Sequence, residues 1–334
     1  MEAYPTLSDE GLYLALGGGA ARGLAHLGVL RALEEQGIPI AGICGTSMGA
    51  VIGAGYALSP NADQLTQDFV EYVRSTHYRR ARYAFMRNVQ KGEKERKLGF
   101  IKKLEHGLLL GRSLTTGSVI SFENFKAEID ALVPDRTFKD TKIPFFAVAA
   151  DIKLRREVVF HKGLLRSAVL ASSSIPGAFP AVRSGSAYYV DGGWVDKVPA
   201  YPLAAMGGRH ILAVDVYREE EDEINFKRGY SVINQANIVT ANRLMELQLE
   251  FASVVWRPPV KHLHWAEFTQ IEQAVEIGYT FTRSRIEEVQ RLLDQKKQSS
   301  WIQNLARQLR PNKPPAPPRF PFEMRAIWEV QNVD

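Results

Sequence analysis

A glycine-rich loop near the start of the chain is the first feature that could do chemistry. It runs from Gly17 to Gly23, between the apolar run 12–16 and a helical pattern of leucines over 24–33. Residues without bulky side chains let a backbone approach a ligand closely, and the free N–H groups at a helix start attract negative charge. The loop therefore predicts a site for a phosphate or an oxyanion, with an ordinary strand–helix turn as the alternative.

The spacing of this loop does not match either common nucleotide-binding pattern. Counting G-x-G-x-x-G from Gly18 puts Ala20 at the second glycine, and counting from Gly17 puts Arg22 at the third. At the end of the next predicted strand, 40–44, no acidic residue stands where a dinucleotide site would have one. A P-loop would also need Gly-Lys-Ser or Gly-Lys-Thr, which the loop lacks.

The second feature is a serine framed by glycines. Gly45, Ser47 and Gly49 form the pattern G-x-S-x-G between the strand predicted at 40–44 and a helix rich in small residues at 48–58. This is the setting of a nucleophile elbow, a sharp turn that exposes the serine Oγ at a helix N-terminus. The sequence therefore predicts Ser47 as a nucleophile, with a buried serine in a tight packing turn as the alternative.

A serine nucleophile needs a proton acceptor, and two candidates follow it in the chain. Asp191 ends the strand predicted at 188–190, in a tight turn with Gly192 and Gly193. A partly desolvated carboxylate there could take the serine proton, although Asp-Gly turns are frequent without any function. His210 would formally supply the acid-then-histidine order of α/β-hydrolases, but it opens another predicted strand after a helix-like segment. Asp191 is therefore favoured as the base.

The elements that must position these residues alternate between strand and helix. Strands are predicted at 12–16, 40–44, 143–150, 157–160, 188–190 and 211–216. Helices are predicted over the leucine pattern ending at Gly37 and at 48–58, 61–74, 121–132, 164–174, 231–255 and 268–293. This order predicts an α/β fold with a mostly parallel sheet and right-handed crossovers.

The composition is that of an ordinary globular protein with room for one large domain. The chain has 334 residues, of which 45% are hydrophobic, and one cysteine, Cys44, which cannot form an internal disulfide. The first ten residues lack the basic and apolar regions of a secretory signal. No run reaches the roughly 18 apolar residues of a membrane span. A cytoplasmic location is therefore expected.

Positive charge is concentrated in one segment. The net charge is +5, and residues 74–103 contain eleven Lys or Arg against only Glu93 and Glu95. Aromatic residues are mixed with these charges. The segment predicts a basic helical insertion over 74–105 that acts as a lid or contacts an anionic membrane, with a solvated helix face as the alternative. It lacks the motifs of nucleic-acid-binding modules, so no nucleic acid partner is expected.

Taken together, these motifs resemble one known family. Residues 14–30 look like the opening of a bacterial patatin-like phospholipase, and Gly45 to Gly49 look like its serine elbow. Residues 171–182, followed by Asp191, resemble its second catalytic stretch. Residues 268–282 resemble the helix that closes such domains in the branch near neuropathy target esterase. The resemblance runs from about residue 12 to about residue 285, with all motifs in the family's order.

The resemblance implies a three-layer α/β/α sandwich and a serine hydrolase that releases fatty acid from phospholipids or lysophospholipids, without metal or cofactor. Ser47 would be the nucleophile and Asp191 the base, with no catalytic histidine. The amides of Gly18, Gly19 and Ala20 would form the oxyanion hole. The supporting motif would comprise Gly17, Arg22, Gly23, Gly45, Gly49, Gly192 and Gly193.

Two neighbours of the oxyanion loop are expected to act indirectly. Arg22 would brace the loop, and His26 would be a packed helix residue. Ala20 stands where the family usually has a third glycine. It keeps its N–H, but its Cβ is expected to require a negative φ.

The predicted domain organisation is a catalytic domain over 1–290 followed by a helix end and a proline-rich extension over 291–334. The extension is expected to be an extended arm on the surface, anchored by Phe320, Phe322, Ile327 and Trp328. Three alternative functions stay open at this point. They are an esterase, thioesterase or acyltransferase acting on another acyl ester, a lipid-binding relative with little activity, and a phosphate- or nucleic-acid-binding module.

Overall fold

The computed structural model describes residues 5, 7, 11–76, 78–79, 118, 120–217, 229–294 and 322–332. In this part, ten strands form one sheet: Leu12–Leu16 (β1), Ile40–Thr46 (β2), Phe145–Asp151 (β3), Arg156–Gly163 (β4), Val182–Ser184 (β5), Ala187–Asp191 (β6), Ile211–Val214 (β7), Val254–Trp256 (β8), Phe322–Ile327 (β9) and Gln331–Asn332 (β10). The main helices are Ala25–Glu35 (α1), Met48–Leu58 (α2), Ala62–Arg74 (α3), Phe122–Leu132 (α4), Leu165–Ser172 (α5), Ala200–Ala205 (α6), Gly229–Leu249 (α7) and Ile271–Arg283 (α8).

The centre of the sheet is parallel. The strands follow the order β10-β5-β6-β3-β2-β1-β7-β8, while β4 pairs with β3 and β9 pairs with β4. Strands β3, β2, β1, β7 and β8 run parallel, as do β4 and β9. Antiparallel pairing is confined to β4 and β6 against β3, and to β5 against β6 and β10. The predicted α/β fold with a mostly parallel sheet is confirmed.

Side chains alternate between the two faces of the sheet, as strand geometry requires. In β1, Leu12, Leu14 and Leu16 belong to one buried cluster, and Tyr13 and Ala15 belong to the other. The first cluster also contains buried residues of α1 to α5 and α8, and the second contains those of α6 and the end of α7. Helices thus cover both faces, and the predicted three-layer sandwich is confirmed.

Two long helices predicted from the sequence are interrupted. The helix expected over 231–255 ends at Leu249, and Val254–Trp256 forms strand β8, because Val254 to Trp256 pair with β7 and complete the sheet. The helix expected over 268–293 begins as a 3-10 turn at Phe268–Gln270, continues as α8 and breaks after Arg283. Residues 286–294 are helical again.

Of the extension predicted over 291–334, residues 322–327 and 331–332 form sheet strands and not a surface arm. Strand β9 pairs parallel with β4, and its residues Phe322 and Ile327 are buried. Trp328 is 57% exposed, so its predicted role as an anchor is wrong. Phe320 lies outside the described residues. So does most of the insertion predicted over 74–105, since none of its residues beyond 79 is described. No helix in the described ranges is both long and apolar enough to cross a bilayer.

Candidate active site

Ser47 occupies a strained turn between β2 and α2. Its φ of 54° and ψ of −122° place a non-glycine residue in a sparsely populated region of backbone space. The flanking glycines make the turn possible, since a Cβ on Gly49 would lie 2.0 Å from the carbonyl oxygen of Leu16 and one on Gly45 would lie 2.4 Å from the carbonyl oxygen of Gly49. This is the geometry expected of a nucleophile elbow.

Asp191 reaches Ser47 because β6 extends past the end of β2. Strand β2 pairs with residues Phe145 to Val148 of β3. Strand β6 pairs with the same edge of β3, at residues Ala149 to Asp151, and β4 pairs with the other edge. The last residue of β6, Asp191, therefore lies just beyond the last residue of β2. The Ser47 side chain lies close enough to the Asp191 carboxyl group to lower its pKa.

The Asp191 carboxyl group is buried and has a raised pKa. Only 5% of the residue is exposed, and burial raises the pKa to about 6, against hydrogen bonds from Ser47 and from the Gly193 amide that lower it. The Gly193 nitrogen lies 2.7 Å from Asp191 Oδ1. At neutral pH this carboxylate is ionised, and it is a stronger base than an exposed aspartate.

Hydrogen bonds of its first two residues help to hold the glycine loop in place. The Gly17 amide donates to the carbonyl of Val214 at 3.0 Å, and the Gly18 amide donates to the carbonyl of Lys197 at 3.0 Å. The Gly17 carbonyl lies 2.8 Å from His26 Nε2. Since the Gly18 amide is engaged with Lys197, it faces away from an oxyanion in this arrangement, contrary to the role expected for it.

The next two amides of the loop remain available beside the serine. Across the described ranges, the backbone N–H groups of Gly19 and Ala20 have no hydrogen-bond partner. Gly18 brings the loop close to the nucleophile, since an added Cβ there would lie 3.3 Å from Ser47 Cβ. Ala20 has a φ of 47°, so the expectation of a negative φ is wrong. Ala20 adopts the backbone conformation of a third glycine in spite of its Cβ.

His26 and Arg22 stabilise the glycine loop through hydrogen bonds to backbone carbonyls. His26 is fully buried, and burial lowers its pKa to about 4, against the hydrogen bond to Gly17. The ring is therefore neutral, with its Nε2–H donating to the Gly17 carbonyl, which is more than the packing role expected. Arg22 Nε donates to the carbonyl of Leu263 at 2.8 Å, and the neighbouring Ala21 amide donates to the carbonyl of Trp265 at 2.8 Å.

His210 lies too far away to act as a base for Ser47. His210 directly precedes Ile211, the first residue of β7. Ile211 pairs with Tyr13 of β1, and Tyr13 in turn pairs with Gly42 of β2. Ser47 follows the opposite end of β2, which at about 3.3 Å per residue puts the two residues roughly 20 Å apart along the strands. This distance argues against His210, and Asp191 stays the predicted base.

An apolar cavity of about 430 Å³ opens beside the nucleophile. Ser47, Ala20 and Ser173 line one part of it. The rest of the wall comes mainly from α2, α3, α4 and the segment after α5, with Val51, Phe69, Val73, Phe125, Ile129, Leu132, Ile175 and Phe179 among its residues. Glu128 also lines the cavity, and burial raises its pKa to about 7. The lining suits a hydrocarbon chain.

Sequence reasoning missed how the segment after α5 supports the dyad. The Ser47 amide donates to Ser172 Oγ at 3.0 Å, and the Asp191 amide donates to the carbonyl of Ser174 at 2.9 Å. The sequence offered one signal, a run of three serines before Ile-Pro-Gly, but nothing in that run indicated its partners.

A comparison with known families agrees with this geometry. The family model for patatin-like phospholipases matches residues 14–204, more than half of the chain. The chain belongs to the patatin-like phospholipase family. The matched range contains the glycine loop, Ser47 and Asp191, so the predicted family is confirmed.

Relatives of this patatin-like chain include much longer proteins. Patatin-like phospholipase domain-containing protein 7 of Mus musculus is 28% identical over 306 residues, covering 83% of this chain and 21% of the mouse protein. Lysophospholipase NTE1 of Mycosarcoma maydis is 36% identical over 203 residues, covering 61% of this chain and 9% of the fungal protein. The chain thus spans about a fifth or less of these curated relatives. These similarities agree with the resemblance to the branch near neuropathy target esterase.

Among solved structures, VipD from Legionella pneumophila shares 13% sequence identity with the chain. The superposition covers 88% of this chain and 71% of VipD, with a TM-score of 0.40.

Proposed function

We propose that this chain hydrolyses fatty-acyl esters of phospholipids or lysophospholipids through a dyad of Ser47 and Asp191. One observation carries the proposal. The Ser47 side chain lies beside a buried carboxyl group whose pKa is raised, and Ser47 lines an apolar cavity. A nucleophile, a base and a compartment for an acyl chain therefore meet at one point.

In the first step Asp191 takes the hydroxyl proton as Ser47 Oγ attacks the carbonyl carbon of the ester. Negative charge then develops on the carbonyl oxygen. The amides of Gly19 and Ala20 are the donors that stabilise it, together with the positive end of α2. Removing one such donor typically lowers the rate by ~10²–10³-fold. The backbone of this loop is thus nearly as important as the dyad.

In the second step the bond between the carbonyl carbon and the alkoxy oxygen breaks. Asp191 returns its proton to the alkoxy oxygen, so an alcohol leaves and an acyl ester of Ser47 remains. Water then attacks this ester, and Asp191 takes a proton from the water. Asp191 passes that proton to Ser47 Oγ as the fatty acid departs. The base is thereby regenerated without a histidine.

The acyl chain occupies the cavity during both steps. Each buried methylene group contributes about 0.8 kcal/mol to binding, so long-chain esters are the preferred substrates. Contact with an anionic membrane through the basic segment 74–103 belongs to the same proposal, since such a surface would deliver lipid to the cavity. Most of that segment lies outside the described residues.

Fatty-acid release from lysophosphatidylcholine and phosphatidylcholine tests the proposal. We expect release by the wild type and a loss of roughly 10⁴-fold or more in Ser47→Ala and in Asp191→Asn, because the two residues act as a unit. Asp135→Asn is a matched control, because Asp135 is exposed and has no role in the proposed mechanism. It should keep wild-type activity. Near-full activity in Asp191→Asn, or no release by folded wild type from either lipid, would contradict the proposal.

A further inference from the structure

Three consecutive serines join the two residues of the dyad. Ser172 Oγ accepts the Ser47 amide at 3.0 Å, and the carbonyl of Ser174 accepts the Asp191 amide at 2.9 Å. Ser173 lies between these two contact points. Ser173 therefore belongs to the segment that holds both residues of the proposed dyad.

The hydroxyls of the outer two serines are used within the protein, and that of the middle one is not. Ser172 Oγ holds the Ser47 amide, and Ser174 Oγ donates to the carbonyl of Leu170 at 2.8 Å. Ser173 is 8% exposed, and within the described part of the chain its hydroxyl has no hydrogen-bond partner. Burying a hydroxyl without a partner costs free energy, so such a group calls for an explanation.

The position of Ser173 provides that explanation. Ser173 lines the cavity together with Ser47 and Ala20. A hydroxyl at the reacting end of the cavity, with its hydrogen-bonding capacity unused, is suited to a polar atom of the substrate. The ester group is the polar part of an acyl substrate that must sit there.

The geometry of the dyad selects one atom of that ester. The carbonyl oxygen is directed to the amides of Gly19 and Ala20. The alkoxy oxygen must lie within reach of Asp191, because Asp191 returns the proton to it. Since the carbonyl oxygen has its donors in Gly19 and Ala20, the alkoxy oxygen is the ester atom that still lacks one, and the Ser173 hydroxyl in the cavity wall can supply it.

We propose that the Ser173 hydroxyl donates a hydrogen bond to the departing alkoxy oxygen of the ester, a role that rests on the proposed function of the dyad. Ser47 Oγ forms its bond to the carbonyl carbon, the bond from that carbon to the alkoxy oxygen breaks, and the proton reaches the alkoxy oxygen from Asp191. Ser173 keeps its own proton throughout. Its hydrogen bond stabilises the negative charge that develops on the oxygen before the proton arrives.

This contact matters only for poor leaving groups. An alkyl or glyceryl alkoxide is strongly basic and needs the hydrogen bond, whereas p-nitrophenolate leaves readily without it. The test therefore compares a p-nitrophenyl ester with a monoacylglycerol that carries the same acyl chain. The quantity measured is kcat/KM, which reports the steps up to acylation and excludes the hydrolysis of the common acyl-enzyme.

In Ser173→Ala we expect kcat/KM for the monoacylglycerol to fall by about tenfold, the effect of one hydrogen bond. The value for the p-nitrophenyl ester should stay within about twofold. Ser173→Thr, which keeps the hydroxyl, should restore the wild-type ratio between the two substrates. Ser174→Ala is the matched control, since it removes a neighbouring buried hydroxyl, and it should change both values by the same factor.

Equal losses on both esters in Ser173→Ala, or no loss on either, would overturn the role of Ser173. If Ser173→Ala does not fold, Ser173→Cys provides the same comparison with a weaker donor. An unchanged ratio of kcat/KM between the two esters in that variant would equally overturn the role of Ser173. Failure of the dyad itself is distinguishable, because wild type would then hydrolyse neither ester or Ser47→Ala would hydrolyse both.

Discussion

In the proposed dyad, Asp191 combines two properties that a lone aspartate base requires. Burial raises its pKa to about 6, which strengthens it as a proton acceptor, while the Ser47 side chain and the Gly193 amide lower the pKa and so keep the carboxylate ionised at neutral pH. A fully unpartnered carboxyl group in this position would be protonated and inactive. The dyad therefore depends on the Gly193 amide as well as on the two catalytic side chains.

The pH dependence of kcat/KM follows from this pKa. Asp191 accepts a proton only when it is ionised, so activity should be high above pH 6 and fall tenfold per pH unit below it, with a midpoint near the pKa of about 6. The measurement is the hydrolysis of a soluble acyl ester between pH 4.5 and 8. A single midpoint near pH 4, or activity that rises as the pH falls, would exclude Asp191 as the base.

At the residue scale, the sequence predicts the proposed dyad, but it does not predict the residues that hold the dyad and the glycine loop in place. Ser47 and Asp191 are recognisable because each lies in a local pattern of glycines. The contacts of Ser172 and His26 depend on partners brought together by the fold, and Ser172 is 125 positions from Ser47. Ala20 was predicted with the wrong sign of φ, because the loop conformation is imposed by hydrogen bonds to Val214, Lys197 and His26 rather than by local preference.

At the scale of elements, close helix packing holds the glycine loop against the sheet. Helices α1 and α8 meet at two glycines, where a Cβ on Gly28 would lie 1.9 Å from the carbonyl oxygen of Val275 and one on Gly278 would lie 2.0 Å from that of Ala25. These distances leave no space for a side chain. Since α1 directly follows the loop, this crossing fixes where the loop begins its turn.

Gly28→Ala should therefore be strongly destabilising. We expect the free energy of unfolding to fall by about 3 kcal/mol, because the clash is with backbone that cannot move aside. Gly37→Ala is the control, since a Cβ there has no atom within 4 Å, although its φ of 62° still costs about 1 kcal/mol. Urea unfolding of both variants measures the difference. Equal losses in the two variants would contradict the close crossing.

Most elements could be predicted from periodicity, and two of the missed strands share one cause. Helix α2 has the predicted bounds, 48–58, because its small residues and flanking turns are local signals. Strands β8 and β9 were missed because each is stabilised by pairing with a distant strand, β8 with β7 and β9 with β4. A three-residue apolar segment such as β8 carries no information about such a partner, and the alternation of apolar and polar residues in β9 follows a proline-rich stretch.

At the scale of the whole molecule, the C-terminal residues complete the sheet that carries Asp191. Arg325 of β9 donates to Asp151 Oδ2 at 2.8 Å and to the Tyr189 hydroxyl at 2.8 Å. It thereby ties β9 to the ends of β3 and β6, two residues before Asp191. Arg325 lies outside the range 14–204 that the family model matches.

Covalent labelling with a fluorophosphonate, located by peptide mass mapping, tests most directly whether Ser47 is the nucleophile of this molecule. We expect the intact wild-type chain to gain a single label on the peptide that contains Ser47, and Ser47→Ala to gain none. Asp191→Asn should be labelled far more slowly than wild type. A label on a different serine, or equal labelling of wild type and Ser47→Ala, would contradict the assignment of the dyad.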